Sequence, residues 1–402
     1  MQKIKTMKYT LLFCLGLALA LFSCEKDNFG VKRSSSEDLS ITADGSFAGE
    51  SGTSNGQAGD TTIQAGQLTA GEWNDLDNWD FWNGLMAKDT LSDYPSHWRF
   101  NSLDRISLKL SRQNGEPVID ARATLLGTEG EPLWTARTDN FGRAEFFPNL
   151  IGAGGQPATI KVVDQGQSYY LNEVHFFEAG VNEMVIPASG PSSQEADVFF
   201  VFDATGSMSD ELEYIKVEIN DIISRIRSNN GDVDFRLGSV FYRDEGDEYV
   251  TRTSNLSSDF AQTVGFINSQ RADGGGDYPE AVHSALKKAI EEQQWRDKAR
   301  TRLLFLILDA PPHYQEDVLE AVQAQLRLAA EKGVKVIPVT ASGIDRETEF
   351  LMRILAIASN GTYTFITNHS GIGNDHLEPT VGEYEVEFLN DLIVRLVNKY
   401  VE

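Results

Sequence analysis

The stretch VFFVFDATGSMSDELEYI, residues 198–215, carries the strongest structural signal in the chain. It opens with an unbroken apolar run, as in a strand covered on both faces, and the run ends on Asp203. Two hydroxyl residues, Thr205 and Ser207, follow at alternate positions, and the acidic segment after them suits the start of a helix. A buried strand that ends on a carboxylate beside two hydroxyls predicts a polar site at that end of the strand.

The chain around this stretch alternates apolar strands with helical segments from residue 196 to 401. RLLFLILDA at 302–310 and VKVIPVTA at 334–341 are apolar on both faces, which is typical of parallel strands covered by helices. We therefore expect an α/β domain with a doubly wound, mostly parallel sheet. Its strands are predicted at 197–203, 234–243, 302–309, 334–340 and 362–366, and its helices at 209–228, 259–270, 279–295, 316–333, 347–359 and 386–400.

Acidic and hydroxyl residues cluster where ligands of such sheets bind, beyond the carboxyl ends of the strands. Asp203 and Asp309 each follow an apolar strand, and the glycine-rich loop ADGGGDYPEA, residues 272–281, contains Asp277. Oxygen donors without His or Cys suit a hard cation, Mg²⁺ first and then Mn²⁺ or Ca²⁺. The predicted metal ligands are Asp203, Thr205, Ser207, Asp277 and Asp309. Each also has a purely structural alternative, such as a serine that caps the following helix.

The same residues carry a family resemblance. DATGS at 203–207 resembles the D-x-[ST]-x-S motif of von Willebrand factor A (VWA) domains, at their metal-ion-dependent adhesion site (MIDAS), and GGGDYPEA at 274–281 is similar to a loop in one branch of that family. The resemblance implies a Rossmann-like VWA fold over 196–401. It also implies that Thr205 and Ser207 ligate the cation directly, that Asp203 and Asp309 act directly or through water, and that an open coordination position accepts an oxygen from a partner protein.

Three further polar residues are expected at the rim of this site. His313 follows Asp309 in the same loop, while Asp375 and His376 lie in the loop after the last predicted strand. They are candidates for ligand selection, and a solvated loop with no such role is the alternative.

The N-terminal residues 1–24 are typical of a signal peptide, since lysines precede an apolar run too short to span a membrane. The run ends in LFSC at 21–24, which resembles the lipobox of bacterial lipoproteins and implies that Cys24 carries lipid such as palmitate. EKDN, directly after Cys24, resembles the signals that send some Bacteroidota lipoproteins to the outer cell face. We expect an outer-membrane lipoprotein; a plain signal peptide with an incidental cysteine is the alternative.

Three segments are predicted between the signal peptide and the α/β domain. Residues 25–69, rich in Ser, Gly, Thr and acids, are expected to be a flexible linker. Residues 70–103 hold four of the six tryptophans and are expected to pack as a cap on the next domain, with sugar binding as the alternative. Short alternating strands over 104–188 predict a small antiparallel β-sandwich, which resembles the transthyretin-like and carboxypeptidase-regulatory domains. A hairpin is predicted at Asn114-Gly115.

The net charge of −25 argues against a nucleic-acid partner, because phosphates would be repelled. We expect a non-enzymatic, lipid-anchored protein that binds a protein ligand through its cation, in adhesion or complex assembly, without a small-molecule substrate. Two alternatives stay open: a metal-assisted hydrolase with Asp277 or His313 as its base, and a chaperone-like assembly subunit of an envelope complex.

Overall fold

The computed structural model describes residues 63–88, 91–187 and 192–402. The predicted signal peptide, Cys24 and most of the predicted linker therefore lie outside the described residues. The chain divides into one unit of residues 1–60 and a second, compact unit from Thr61 to Glu402, which contains all the described residues. In the described part of the chain, no helix has the length and apolarity that a membrane span requires.

The described residues form fifteen strands and eight α-helices. In chain order the strands are β1 (Thr69–Trp73), β2 (Ile106–Arg112), β3 (Arg122–Gly127), β4 (Pro132–Arg137), β5 (Arg143–Phe146), β6 (Pro157–Asp164), β7 (Gln167–Asn172), β8 (Asn182–Ile186), β9 (Glu195–Asp203), β10 (Asp234–Tyr242), β11 (Thr251–Ser257), β12 (Thr301–Leu308), β13 (Val334–Thr340), β14 (Tyr363–Ile366) and β15 (Glu387–Phe388). The helices are α1 (Trp79–Met86), α2 (Tyr94–His97), α3 (Leu212–Asn229), α4 (Phe260–Ser269), α5 (Val282–Leu286), α6 (Glu316–Lys332), α7 (Arg346–Ala358) and α8 (Leu389–Val401).

An eight-stranded sheet lies at the centre, in the order β11-β10-β9-β12-β13-β14-β1-β15. The five strands β10, β9, β12, β13 and β14 run parallel, so their carboxyl ends share one edge of the sheet. Strands β11, β1 and β15 are antiparallel to their neighbours. The predicted α/β class with a mostly parallel sheet is confirmed.

Helices cover both faces of this sheet, as its apolar strands require. One apolar cluster joins one face to α3 and α8, while a second joins the other face to α5, α6 and α7. The predicted long helix over 279–295 is replaced by the short α5 and a π-helical turn, Lys287–Glu291. Helix α5 starts later than predicted because the N–H of Glu280 donates to the carbonyl of Pro311 at 2.9 Å. This hydrogen bond holds Glu280 outside the helix.

The region from β2 to β8 forms two small sheets, in the orders β5-β2-β8 and β4-β3-β6-β7. These sheets are mostly antiparallel, as predicted, but β2 and β8 pair in parallel. The turn at Asn114-Gly115 is present, with φ +86° at Gly115, but β3 joins the other sheet and does not form a ladder with β2. The residues between β2 and β8 supply the long connection that a parallel pair needs.

The tryptophan-rich segment does not form a separate cap. Its first residues, β1, insert into the central sheet between β14 and β15, and α1 follows. All four tryptophans of the segment are buried. Trp79 packs on Phe147 of the small sheets and Trp82 stacks on Phe350 of α7, so the segment joins the two regions.

Candidate metal centre

Asp203, the last residue of β9, is fully buried and fully hydrogen-bonded. Its Oδ1 accepts hydrogen bonds from the backbone N–H of Thr205 at 2.9 Å and from the Thr205 hydroxyl at 2.6 Å. Its Oδ2 accepts a hydrogen bond from the hydroxyl of Tyr242, at the end of β10, at 2.9 Å. The turn after β9 is therefore folded around this carboxylate, and Tyr242 is a supporting residue that the sequence analysis did not identify.

Asp309 lies directly after β12, the neighbour of β9 in the sheet, and is 4% exposed. Ser207 is close enough to the Asp309 carboxylate to lower its pKa, and the Ser207 hydroxyl is 3.1 Å from that of Thr205. The Oδ1 atom of Asp309 is buried without a hydrogen-bond partner. The structure thus joins four of the predicted ligands, Asp203, Thr205, Ser207 and Asp309, in one cluster.

The glycine-rich loop closes over this cluster. The carbonyl of Gly274 accepts a hydrogen bond from the backbone N–H of Gly206 at 3.0 Å, and Asp247 accepts one from the N–H of Gly275 at 2.9 Å. Gly274 has φ +80°, and a Cβ there would lie 2.5 Å from the Asp247 carboxylate. Glycine suits this path at Gly274 and at Gly275, which has φ +73°, whereas Gly276 has open space around it.

The loop brings Glu280, and not Asp277, to the cluster. Asp277 is exposed, whereas Glu280 is 3% exposed. A Cβ built on Gly275 would lie 2.9 Å from the Glu280 Oε1 atom and 3.2 Å from the Cβ of Thr205, so this carboxylate lies beside the DATGS turn. The Oε2 atom of Glu280 is buried without a partner. Asp277 stays a predicted ligand from the sequence, and Glu280 is the acidic residue of the loop that the structure places beside the turn.

Burial and neighbouring acidic groups raise the pKa values of the three carboxylates. Burial and, to a smaller extent, the charge of Asp203 raise the pKa of Asp309 to about 7, although Ser207 opposes the rise. Burial raises the pKa of Asp203 to about 6 against the hydrogen bonds from Thr205 and Tyr242. Burial and repulsion from Asp203, Asp244 and Asp309 raise the pKa of Glu280 to about 9. Burial and proximity therefore disfavour full ionisation of these carboxylates, and without a cation Glu280 is mostly protonated near pH 7.

The donor set fits a hard cation. Among the described residues, no three His, Cys, Asp or Glu side chains are arranged as a metal-binding group, so a site here would combine carboxylates with the hydroxyls of Thr205 and Ser207. Unpartnered buried oxygens on Asp309 and Glu280 are the atoms that an ion would satisfy. A cation among these groups would also remove the repulsion that raises their pKa values.

The rim residues differ in how tightly they are held. His313 lies 2.6 Å from Asp244 through its Nε2 atom. His376 is buried: its Nε2 is 2.7 Å from the buried Glu211 and its Nδ1 is 3.0 Å from Asn368. Asp375 is exposed beside it. Glu211 also raises the pKa of Asp309 in part, so the His376 loop borders the cluster of carboxylates and hydroxyls.

The comparisons with known proteins agree with the sheet topology. A family model described as von Willebrand factor A domain matches residues 197–373. An alpha-protein kinase vwkA of Dictyostelium discoideum is 31% identical over 126 residues, which are 31% of this chain and 20% of that protein. A putative ariadne-like RING finger protein R811 of Acanthamoeba polyphaga mimivirus is 31% identical over 121 residues, 30% of this chain and 12% of that protein. The chain therefore spans only a minor part of these relatives.

Two solved structures from Bacteroides species are also similar. The conserved hypothetical protein BatB from Bacteroides thetaiotaomicron has a TM-score of 0.36 and 17% identity, over 51% of this chain and 98% of that chain. An aerotolerance-related membrane protein from Bacteroides fragilis has a TM-score of 0.33 and 15% identity, also over 51% of this chain and 98% of that chain. By its family match and its mostly parallel, helix-covered sheet, the segment of residues 197–373 is a von Willebrand factor A domain.

Proposed function

We propose that the protein binds a partner protein through a divalent cation, Mg²⁺ first, held by Asp203, Thr205, Ser207 and Asp309, with Glu280 beside them. One observation carries the proposal: buried carboxylates with unpartnered oxygens meet two hydroxyls at the carboxyl edge of a VWA sheet. Burial of ionisable groups in this way is unfavourable unless an opposite charge joins them.

The bound cation would supply an open coordination position for an oxygen of the partner. The residues of the chain have separate tasks: Tyr242 holds Asp203, and Ser207 links the turn to Asp309. If Glu280 is ionised as well, three carboxylates exceed the charge of a divalent ion, and an acidic partner is attracted less strongly. A neutral oxygen of the partner suits such a site better than a carboxylate.

The test is calorimetric titration of Mg²⁺ and Mn²⁺ into the parent and into the double variant Asp203→Asn/Asp309→Asn. The amide side chains keep the shape of the site while removing both charges. We expect loss of cation binding, whereas Asp375→Asn, at an exposed acid of the rim, keeps it. Equal affinity of the parent and the double variant would show that the cation does not bind here.

We also propose that the cation serves binding and not catalysis. His313 and His376, the two predicted rim histidines, are engaged with Asp244 and with Glu211 and Asn368. A pull-down from envelope extract with Mg²⁺ should retain a stoichiometric partner that a chelator releases. Turnover of a panel of esters and peptides that is lost in the double variant would instead favour the metal-assisted hydrolase.

The location follows from the sequence of residues 1–24, which lie outside the described residues. We propose that lipid on Cys24 anchors the protein in the bacterial outer membrane, with the VWA domain available to partners of the envelope. Cys24→Ser should move the protein from the membrane fraction to the soluble fraction or leave it unprocessed. A Ser variant that stays in the membrane fraction after normal N-terminal trimming contradicts the anchor.

A further inference from the structure

Three aromatic side chains form a partly exposed surface close to the metal cluster, here called the aromatic strip: Tyr278, His97 and Tyr314. Tyr278 is 41% exposed and Tyr314 is 52% exposed, high values for tyrosines in a folded domain. The ring of His97 stacks on that of Tyr314, with ring centres 3.8 Å apart. Aromatic side chains that stay exposed in this way are typical of interaction surfaces.

The strip is continuous along the start of α7. The hydroxyl of Tyr278 accepts a hydrogen bond from the backbone N–H of Asp345 at 3.0 Å. Glu347, in the first turn of the same helix, lies 2.5 Å from the Nε2 atom of His97. One helix terminus thus holds both ends of the strip, and α2, outside the VWA match, contributes His97.

Two loops connect the strip to the metal cluster. The glycine-rich loop carries Glu280 of the cluster and Tyr278 of the strip, while the loop after β12 carries Asp309 and Tyr314. The charge of Asp309 contributes to the raised pKa of Tyr278, after burial and Asp345 among other causes, so the two groups are within electrostatic range. A partner that reaches the cluster from this side contacts the strip as well.

The surroundings of the strip are acidic. Asp277, Asp345 and Glu347 border it, and the neighbouring Arg346 is already engaged with Glu349 and Thr380. Elsewhere in the described residues, arginines and lysines lie over aromatic rings, for example Arg252 over Tyr249 at 3.9 Å. No Arg or Lys of the described residues lies over Tyr278 or Tyr314 in this way. His97 covers one face of Tyr314, and the exposed parts of both tyrosine rings are available to a cation from another molecule.

We propose that the aromatic strip docks a cationic segment of the partner protein, whose Arg or Lys side chains lie on Tyr278 and Tyr314 and pair with Asp345 and Glu347. The inference rests on the proposed function for the existence of a protein partner, and it adds the chemistry of that partner. Charge complementarity selects this occupant, because the strip is bordered by carboxylates on a chain of net charge −25. An acidic segment would be repelled both here and at the metal cluster.

The test uses the full chain and fluorescein-labelled peptides that alternate Arg, Lys or Glu with Gly and Ser, read by fluorescence anisotropy with Mg²⁺ and with chelator. We expect the Arg peptide to bind better than the Glu peptide. The double variant Tyr278→Ala/Tyr314→Ala should bind the Arg peptide about ten-fold more weakly than the parent does. Tyr170→Ala is the matched control, because Tyr170 is 58% exposed on β7, away from the metal edge, and should change nothing.

A second variant, Glu347→Gln, removes one partly exposed negative charge. It should lower the affinity for the Arg peptide without unfolding the chain. The proposal is overturned if the parent has the same affinity for the Glu peptide as for the Arg peptide. It is equally overturned if the Tyr278/Tyr314 variant and the Tyr170 variant have the same affinity for the Arg peptide. Sugar binding is the alternative for exposed aromatic side chains. The proposal is also overturned if the Tyr278/Tyr314 variant loses affinity for the sugar maltoheptaose and keeps its affinity for the Arg peptide. Mg²⁺ titration of the parent separates the proposed function from the proposal for the aromatic strip. If the parent binds no cation, the proposed function is contradicted, and the comparison of the peptides in chelator still tests the strip.

Discussion

Single residues account for the charge of the candidate metal site. Both carboxylate oxygens of Asp203 accept hydrogen bonds within the chain, whereas Asp309 and Glu280 each retain a buried oxygen without a partner. Glu280 is held outside α5 by the carbonyl of Pro311, and this backbone contact turns it towards Thr205. Its neighbour Asp277, three residues earlier, is exposed, so position in the loop matters more than the number of acids there.

This contrast gives a matched pair of variants. Glu280→Gln should weaken Mg²⁺ or Mn²⁺ binding by roughly ten-fold, since it removes one negative charge beside the ion. Asp277→Asn removes one negative charge from the same loop at an exposed position, where solvent screens it, and should change the affinity by less than about two-fold. Calorimetric titration of both variants measures the difference. A larger effect of Asp277→Asn would restore Asp277 to the site.

At the scale of elements, the loop after β14 and the strand β1 shape the edge of the sheet that carries the site. Two contacts hold the loop: His376 binds the buried Glu211, and the backbone N–H of Thr380 donates to the buried Glu349 at 2.6 Å. Strand β1 pairs with β14, so the segment before the VWA domain supports the strand from which this loop departs.

His376→Phe should loosen the loop, because it leaves the buried Glu211 without its side-chain partner, at a cost of about 1–3 kcal/mol. The expected result is at least roughly ten-fold faster cleavage by endoproteinase Asp-N at Asp375, through more frequent local opening. His369→Phe, in the same loop but exposed, is the control and should be cleaved like the parent. Equal cleavage rates for the two variants would mean that His376 does not hold the loop.

Strand β1 can be tested at a glycine. A Cβ on Gly71 would lie 2.7 Å from the ring of Phe365 and 2.8 Å from that of Tyr384, so Gly71→Ala should lower the free energy of unfolding by about 1–3 kcal/mol. Gly84, in α1, has open space around it, and Gly84→Ala should raise the same quantity by up to about 1 kcal/mol through helix propensity. Urea denaturation compares them. Equal stabilities would show that β1 is not packed against β14.

At the scale of the molecule, the small sheets and the VWA domain share one apolar cluster and a buried ionic junction. Asp120, between β2 and β3, binds the guanidinium of Arg302 in β12 at 2.8 and 3.1 Å and that of Arg137 at 3.0 Å. Arg302 is almost completely buried, at 3% exposure of its side chain. Such a pair fixes the orientation of the two regions, because either charge alone would be buried without a partner.

We expect the parent, in chelator, to unfold in a single transition that includes both regions. Asp120→Asn should lower the unfolding free energy by about 3–5 kcal/mol, since Arg302 loses its partner. Asn also tolerates the positive φ of +60° at this position, so the backbone is not the cause. Arg122→Ala breaks the exposed pair with Glu331 and should cost at most about 1 kcal/mol. Two separate transitions in the parent would instead make the small sheets an independent domain, as the sequence boundaries predicted.

The features that the sequence predicted are those that local patterns specify. The apolar runs of β9, β12 and β13 and the ends of α6 and α7 agree with the predictions to within one or two residues, because burial on both faces leaves a direct imprint on composition. The positions of Asp203 and Asp309 at the ends of strands were predicted for a related reason. Each follows such a run, and the carboxyl ends of neighbouring parallel strands meet at one edge.

Other features depend on contacts between residues far apart in the chain, and a local pattern does not show them. The choice of Glu280 over Asp277 follows from a backbone hydrogen bond to Pro311, and the place of β1 follows from pairing with β14, almost three hundred residues later. The parallel pairing of β2 with β8 is likewise set by the packing of the two small sheets. Such contacts form only when distant segments bury apolar surface together, so the tertiary structure alone selects them among the alternatives that the sequence allows.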